Sequence, residues 1–230
     1  MLKPWDELPD DMKTEAVRPY YDVLSRHRGT LALKRVFDFT ASLIMLIVLL
    51  PVMLLIAAAI RIDTPGCVLF FQERVTTYGK RFRIWKFRTM YSNAEKNGTQ
   101  VTVSNDKRIT RVGQFLRKYR LDELPQLVNI LRGDMSYVGT RPEVVRYVER
   151  YTPEMMATLL LPAGVTSEAS MRYKNEYSLL AEADDVDKVY VHEILPGKMQ
   201  YNLKALREFS CFEELTTMLR TILAVCGKEY

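Results

Sequence analysis

One long apolar run dominates the pattern of hydrophobic and polar positions along this chain. Residues 39–60 contain no Asp, Glu, Lys or Arg over 22 positions. As a helix this run reaches roughly 33 Å, close to the roughly 30 Å hydrocarbon core of a bilayer. It is too evenly apolar for an amphipathic core helix, and its leader is too long and polar for a signal peptide. The pattern therefore predicts a helix that inserts into a membrane.

The flanks of the run bear on how it inserts. Lys34 and Arg35 precede it and Arg61 follows it, whereas a one-way spanning helix carries positive charge mainly on its cytoplasmic side. Pro51 lies near the middle, where it removes a helical hydrogen bond and favours a kink. These features suit a kinked helix that enters and leaves by the same face. The alternative is a simple spanning helix with an incidental proline.

Downstream of the run, shorter patterns predict a compact α+β unit that is mostly helical and contains a small β-hairpin. The hairpin pairs β-rich runs at 67–71 and 82–87 across a turn at 78–80. A polar loop follows at 92–106, and the helical periodicity then resumes. Helices are predicted at 111–119, from near Asp122 to Gly133, and at 142–151, 153–160, 186–195, 198–206 and 211–225.

Charge divides the chain into a basic half and an acidic half. The formal net charge is +5, but residues 143–230 carry ten Lys and Arg against fourteen Asp and Glu, which leaves twenty-three against fourteen in residues 1–142. The first half is therefore expected to face an anionic partner such as phospholipid or a phosphorylated substrate. Nucleic acid is disfavoured by the apolar run and by the lack of a recognisable binding motif. Three scattered cysteines give neither a disulfide framework nor a zinc site.

Two short motifs in the basic half are candidates for phosphate chemistry. Asp122 and Glu123 follow a cationic cluster that includes Arg117 and Lys118. An aspartate among cations can stay ionised and attack phosphorus, and a neighbouring glutamate can hold Mg²⁺. The alternative is that Asp122 caps a helix, which is the usual role of aspartate at such a position. Arg141-Pro142 presents a second arginine from a stiff loop, although a dipeptide of this kind is most often only a turn.

Taken together, these segments resemble the bacterial sugar transferase family, the monotopic polyprenyl-phosphate phosphoglycosyl transferases. The resemblance runs from about residue 31 to 225. It rests on KRVFDFTASL before the apolar run, then DTPG, FFQERV and KFRTM, and on DKRITRVGQFLRKYRLDELPQLVNILRGDMSYVGTRPE at 106–143. The order and spacing of that last stretch make it highly specific.

The resemblance implies an activity and roles for several residues. It implies that Asp122 attacks a UDP-sugar, that Glu123 completes the dyad, and that Mg²⁺ is held near both carboxylates. Arg88, Arg117, Lys118, Arg141 and Pro142 are then the expected substrate-binding residues. The products are UMP and, after transfer to undecaprenyl phosphate, a polyprenyl-diphosphate sugar.

The resemblance also implies where each part of the chain lies. It predicts a re-entrant membrane helix broken at Leu50-Pro51 within 31–62 and a cytosolic catalytic domain at 63–230, while residues 1–30 form a separate segment that is polar by composition. The family often has Ser-Pro at the break and Pro-Arg-Pro where this chain has Thr140-Arg141-Pro142.

The expected location is the cytoplasmic face of the bacterial inner membrane. The expected partners are a UDP-sugar, undecaprenyl phosphate, anionic phospholipid and no nucleic acid, with a homodimer and downstream glycosyltransferases as further candidates. A different function class stays open: a catalytically silent membrane-surface scaffold that binds anionic lipid or glycan-assembly enzymes through the basic half.

Overall fold

A computed structural model describes residues 2–91, 106, 108–173 and 185–225. Helices predominate in these residues, and the two small sheets have two strands each. The helices are α1 (Arg18–Arg26), α2 (Arg28–Asp63), α3 (Arg111–Lys118), α4 (Gln126–Arg132), α5 (Val145–Val148), α6 (Glu168–Arg172), α7 (Val186–Val189), α8 (Leu195–Arg207) and α9 (Cys211–Val225). The strands are β1 (Leu69–Val75), β2 (Arg81–Phe87), β3 (Met135–Val138) and β4 (Ala163–Thr166). The predicted α+β class, mostly helical with a small hairpin, is confirmed.

Helix α2 contains the apolar run and extends beyond it at both ends. Its most apolar 18-residue window has a mean hydropathy of 3.2, and only 11% of that window is buried, so α2 is not an ordinary core helix. Among the described residues it is the one helix long and apolar enough to cross a membrane. The helix continues through Leu50 and Pro51, so the predicted break does not interrupt its helical structure.

One face of α2 lies against the rest of the protein along its length. Near the start of the run, Arg35 donates to the backbone carbonyls of Ile130 and Leu131, at 2.6 and 2.9 Å. Near the end, Ile60 lies in an apolar cluster with Leu116. The opposite face is an exposed stripe at helical spacing. Its most exposed members are Leu33, Val36, Ile44, Ile47, Val48, Leu54, Leu55 and Ile62.

Strands β1 and β2 form the predicted hairpin with shifted boundaries. They pair antiparallel from Leu69 opposite Phe87 to Val75 opposite Arg81. The turn between them contains Tyr78 and Gly79 in the left-handed region, with φ of 57° and 74°. The predicted polar loop at 92–106 lies outside the described residues except for Asp106.

The hairpin is joined to α4 by one side chain. Asn129 donates to the carbonyl of Arg83 at 2.8 Å and accepts from the amide of Trp85 at 3.0 Å. Asn129 therefore satisfies the backbone of β2 along the edge that β1 leaves free.

A second sheet, which the sequence did not reveal, pairs β3 with β4 in parallel. Just beyond β3, Gly139 crosses Gly164 of β4 so closely that a Cβ on Gly164 would lie 2.2 Å from the Gly139 nitrogen. Four-residue strands with a glycine carry too little alternation to be recognised from sequence alone. The close crossing matters because it fixes the segment that follows, which contains Arg141.

The predicted helices after residue 142 have mixed outcomes. Helix α9 matches 211–225, whereas 142–151 retains only the short α5 and 153–160 is a 3₁₀ segment at Met155–Leu160. In the 186–206 region α7 passes through a π-helical turn at Tyr190–Ile194 into α8. Pro196 explains this turn, because it has no N–H to continue the regular ladder.

The N-terminal residues pack into the main core. Val17, Tyr20 and Leu24 are fully buried and share an apolar cluster with Leu160 and Phe209. Tyr20 and Tyr21 therefore pack within the protein.

Candidate active site

Asp122 and Glu123 lie in a 3₁₀ turn between α3 and α4. Arg120, just before them, has a φ of 56°, which turns the chain sharply at the end of α3. Helix α4 starts later than predicted, at Gln126, with Pro125 at its N-cap and no side-chain capping bond. Neither carboxylate caps a helix, so the helix-cap alternative is wrong for Asp122.

Glu123 is held by two cations. Its Oε1 accepts from Lys86 Nζ at 3.0 Å and from Arg141 Nη2 at 2.7 Å. Burial pushes the pKa of this carboxyl upward, but the attraction of Arg141 and Lys86 outweighs burial and holds the pKa well below its usual range. Glu123 is therefore ionised, and the positive charges of Lys86 and Arg141 balance its negative charge.

Asp122 differs from Glu123 in its hydrogen-bond partners and in the direction of its pKa shift. Its side chain is buried, with 8% of the residue exposed, and it accepts no hydrogen bond from any residue that the structure describes. Burial first, and then the charge of Glu123, raise its pKa, against the opposing attraction of Lys86, Arg117 and Arg120. A desolvated carboxylate without a hydrogen-bond donor keeps its electron density, which suits it to attack an electrophile.

The loop that carries Arg141 is fixed from several sides. The amide of Gly164 donates to the carbonyl of Thr140 at 2.8 Å, and Arg74 Nη1 donates to the carbonyl of Pro142 at 3.2 Å. Pro142 itself is buried. Thr140 occupies the position of the family's first proline, and its backbone bond supplies some of the restraint that the missing ring would give.

Glu143 ties the same loop to the C-terminal helices. Its Oε1 accepts from Tyr190 Oη at 2.7 Å, and Lys198 Nζ lies 3.4 Å from that hydroxyl. All three side chains are buried. The position of Arg141 therefore depends on contacts with a region almost fifty residues further along the chain.

The remaining predicted site residues lie at different distances from the dyad. Arg117 is close enough to lower the pKa of Asp122, and its Nε donates to Thr89 Oγ1 at 2.9 Å. Lys118 is exposed and stacks on Tyr119. Arg88 is buried and donates to the carbonyls of Thr64 and Pro65, so its contacts are those of an anchor for the end of α2.

The structure adds Lys86 to the site. Lys86 begins the KFRTM motif, in which the family resemblance implied a role only for Arg88. The alternation along β2 was the missed signal: Lys86 lies on the same face as Ile84 and Phe82, which pack inward against α4.

Comparisons with known proteins settle the family. The profile of the family described as bacterial sugar transferase matches residues 29–228, which is most of the chain. The chain belongs to this family.

Several curated members of the bacterial sugar transferase family are similar to this chain. A Bacillus subtilis protein named as a putative undecaprenyl-phosphate N-acetylgalactosaminyl 1-phosphate transferase is 42% identical over 64% of this chain and 80% of its own length. An Aeromonas hydrophila UDP-N-acetylgalactosamine-undecaprenyl-phosphate N-acetylgalactosaminephosphotransferase is 34% identical over 84% of this chain and 43% of its own length. An Escherichia coli UDP-glucose:undecaprenyl-phosphate glucose-1-phosphate transferase is 33% identical over 93% of this chain. The chain spans less than half the length of the Aeromonas and Escherichia proteins.

The donor set at the dyad is compatible with the Mg²⁺ implied by the family if water and substrate phosphates complete the ligand set. No group of three or more His, Cys, Asp or Glu side chains able to hold a metal occurs among the described residues. Two cations already occupy Glu123 Oε1, whereas the Asp122 carboxylate is engaged by neither. Such a site fits a Mg²⁺ held by one carboxylate, water and substrate phosphates, which is the usual manner for this ion.

Proposed function

We propose that this chain is a phosphoglycosyl transferase that moves a sugar-1-phosphate from a UDP-sugar to undecaprenyl phosphate, releasing UMP. This is the first membrane step in making an exopolysaccharide, O-antigen or glycoprotein glycan. The observation that carries the proposal is the asymmetry of the dyad. Asp122 is desolvated and without a hydrogen bond, while the adjacent Glu123 is neutralised by Lys86 and Arg141.

In the first step Asp122 acts as the nucleophile. A carboxylate oxygen forms a bond to the β-phosphorus of the UDP-sugar, and the bond from that phosphorus to the bridging oxygen breaks. UMP leaves with the bridging oxygen, and the sugar phosphate stays on Asp122 as an acyl phosphate. Lys86, Arg117 and Arg141 line the site with positive charge, which offsets the charge that develops on the phosphate oxygens.

In the second step an oxygen of undecaprenyl phosphate attacks the same phosphorus. The bond between phosphorus and Asp122 breaks, which frees the carboxylate and yields the polyprenyl-diphosphate sugar. Mg²⁺, held beside the dyad by a carboxylate oxygen, would neutralise phosphate charge as the substrate binds.

The contacts of α2 support a re-entrant placement at the cytoplasmic face of the inner membrane. Arg35 near one end of the apolar run and Ile60 near the other both contact the same folded unit. A helix that crossed the bilayer once would place these ends on opposite sides of the membrane. With both ends held to one unit, Asp122 stands where a water-soluble nucleotide sugar and a membrane-bound phosphate can meet.

The test is to trap the intermediate. Purified protein is incubated with UDP-N-acetylgalactosamine or UDP-glucose labelled in the sugar, with Mg²⁺ and without lipid acceptor. We expect about one equivalent of UMP per protein and label bound to the chain. Asp122→Asn is expected to abolish the bound label and to reduce UMP release with acceptor by at least about 10³-fold.

Asp187→Asn is the matched control, since Asp187 is a half-exposed carboxylate paired with Arg146 away from the dyad. It should behave as the unaltered protein. Full UMP release by Asp122→Asn would overturn the mechanism. The scaffold alternative predicts no UMP release from either sugar donor in any variant, with membrane binding retained.

A further inference from the structure

The hairpin carries a second set of cations on the face opposite the dyad. Side chains alternate along a strand, so Lys86 faces Glu123 while its neighbour Trp85 faces the other way, together with Arg83 and Arg81. Across the pair, Phe71 lies opposite Trp85 on that outer face. The side chains of Arg81, Arg83 and Trp85 thus lie on the opposite face of β2 from Lys86.

A cleft of about 440 Å³ lies between this outer face and the end of α4. This volume falls within the range typical of small-ligand sites. Eight residues line it, four of them cationic and one acidic. They are Phe71, Lys80, Arg81, Phe82, Arg83, Trp85, Arg132 and Asp134.

The charge in this cleft is only partly compensated within the protein. Lys80 pairs with Asp134 at 3.1 Å, and Arg81 with Glu73 at 3.4 Å. Arg83 and Arg132 form no ion pair with any carboxylate in the described part of the chain, and both are exposed. Two guanidinium groups are therefore available to an anionic ligand, and guanidinium groups bind phosphate oxygens in pairs.

Two aromatic side chains of the cleft lie close to each other, and one of them contacts a cation. Phe71 meets Trp85 edge-on, with ring centroids 5.1 Å apart, and the Arg132 guanidinium lies 5.0 Å above the Trp85 ring. Stacking on Trp85 restrains Arg132 over the cleft, so less side-chain freedom is lost when an anion binds there.

The cleft also lies beside the start of the membrane segment. The guanidinium of Arg35, which precedes the apolar run, is 3.1 Å from where a Cβ on Gly133 would stand, between the cleft residues Arg132 and Asp134. This location gives two sources of a phosphate group access to the cleft: phospholipid headgroups at the bilayer surface and soluble phosphorylated compounds.

We infer that this cleft binds a phosphate-bearing anion through Arg83 and Arg132 over Trp85, as a site separate from the dyad. The inference does not depend on the proposed catalysis, because binding can be measured without turnover. Tryptophan fluorescence can report binding in the cleft, since Trp85 lines it and Trp5 is the one other tryptophan of the sequence. Trp5 packs against Tyr21 in the N-terminal core, so Trp5→Phe leaves Trp85 as the single tryptophan.

The experiment follows Trp85 fluorescence in the full chain carrying Trp5→Phe. In one arm the protein is placed in phosphatidylcholine nanodiscs with increasing phosphatidylglycerol; in the other, inorganic pyrophosphate is added to phosphatidylcholine nanodiscs. We expect a saturable change in at least one arm. Arg83→Gln with Arg132→Gln should weaken the apparent affinity by about tenfold, whereas Arg150→Gln with Lys204→Gln, an equal loss of exposed charge elsewhere, should leave it within twofold.

The two arms distinguish the sources of the phosphate. A response to phosphatidylglycerol that the cleft variant loses identifies a lipid headgroup, and a response to pyrophosphate that it loses identifies a soluble phosphate ligand. No saturable change in either arm would overturn the inference. So would equal affinities of the cleft variant and the control variant, because the response would then reflect general surface charge.

Discussion

At the scale of single residues, the two adjacent carboxylates carry the same charge in different surroundings. Glu123 is bound by Lys86 and Arg141, while Asp122 is buried without a donor. The sequence places both residues in one motif but does not say which cations reach which oxygen. The family resemblance predicts Asp122 as the nucleophile, and the difference in hydrogen bonding between the two carboxylates supports that prediction.

The first prediction concerns Lys86. Lys86→Gln removes one of the two cations on Glu123 and leaves Arg141, so the site loses one positive charge that would attract the incoming substrate phosphates. We expect kcat/KM for UMP release to fall by about 10²-fold. Lys204→Gln, an exposed lysine on α8, is the control. Activity of Lys86→Gln within threefold of that of the unaltered protein would show that Lys86 does not contribute to the reaction.

The second prediction concerns the buried bond between Tyr190 and Glu143. Tyr190→Phe deletes the donor and leaves a buried carboxylate oxygen without it, at a cost of about 1–3 kcal/mol. We expect a lower melting temperature in detergent and a raised KM for the sugar nucleotide, because the loop bearing Arg141 loses an anchor. Tyr119→Phe alters a half-exposed ring and should change neither value. Unchanged stability for Tyr190→Phe would show that the loop is held without this bond.

At the scale of elements, the sequence predicted correctly those turns and helix ends that depend only on neighbouring residues. The hairpin turn at Tyr78-Gly79 and the left-handed Gly133, with φ of 86°, lie where sequence placed them. The helix from Asp122 was predicted about four residues too early, because Leu121–Glu123 has helix-like composition but closes as a 3₁₀ turn. The parallel pair β3–β4 was missed, since parallel strands distant in sequence leave no local signature.

The third prediction tests the crossing of β4 with the segment after β3. A methyl group on Gly164 would meet the Gly139 backbone at 2.2–2.5 Å, and neither of the two backbone segments can move without breaking the sheet. Gly164→Ala is therefore expected to lose more than about 3 kcal/mol of stability, beyond ordinary overpacking.

The control for Gly164→Ala is Gly29→Ala in α2, where a Cβ meets nothing within 4 Å. Alanine there should be neutral or stabilising by up to about 1 kcal/mol, because it favours helix. Comparing the melting temperatures of both variants in detergent measures the difference. Equal melting temperatures would mean that the crossing is looser than the structure has it.

At the scale of the whole molecule, the apolar helix and the folded unit are one structure. Helix α2 presents an exposed apolar stripe on one side and packs on the other side from Leu31 to Ile60. In the proposed re-entrant placement, this arrangement would keep Asp122 and Glu123 close to the lipid surface.

The fourth prediction tests the topology of α2. Single cysteines replace Leu33 and Ile62, which are 61% and 86% exposed, in a variant lacking the native cysteines. We expect both to react with a membrane-impermeant thiol reagent in inside-out vesicles and neither in intact spheroplasts. Labelling of one position in spheroplasts would show that α2 crosses the membrane once and is not re-entrant.

By itself the sequence determined the features that depend on neighbouring residues: the length of the apolar run, its basic flanks, the hairpin turn and the order of the motifs. Tertiary structure decided the contacts that join distant positions. Lys86 and Arg141 meet Glu123 from 37 and 18 residues away, and Tyr190 reaches Glu143 across 47. Local propensity cannot specify such meetings, because they depend on how whole elements pack and on which charges burial forces together.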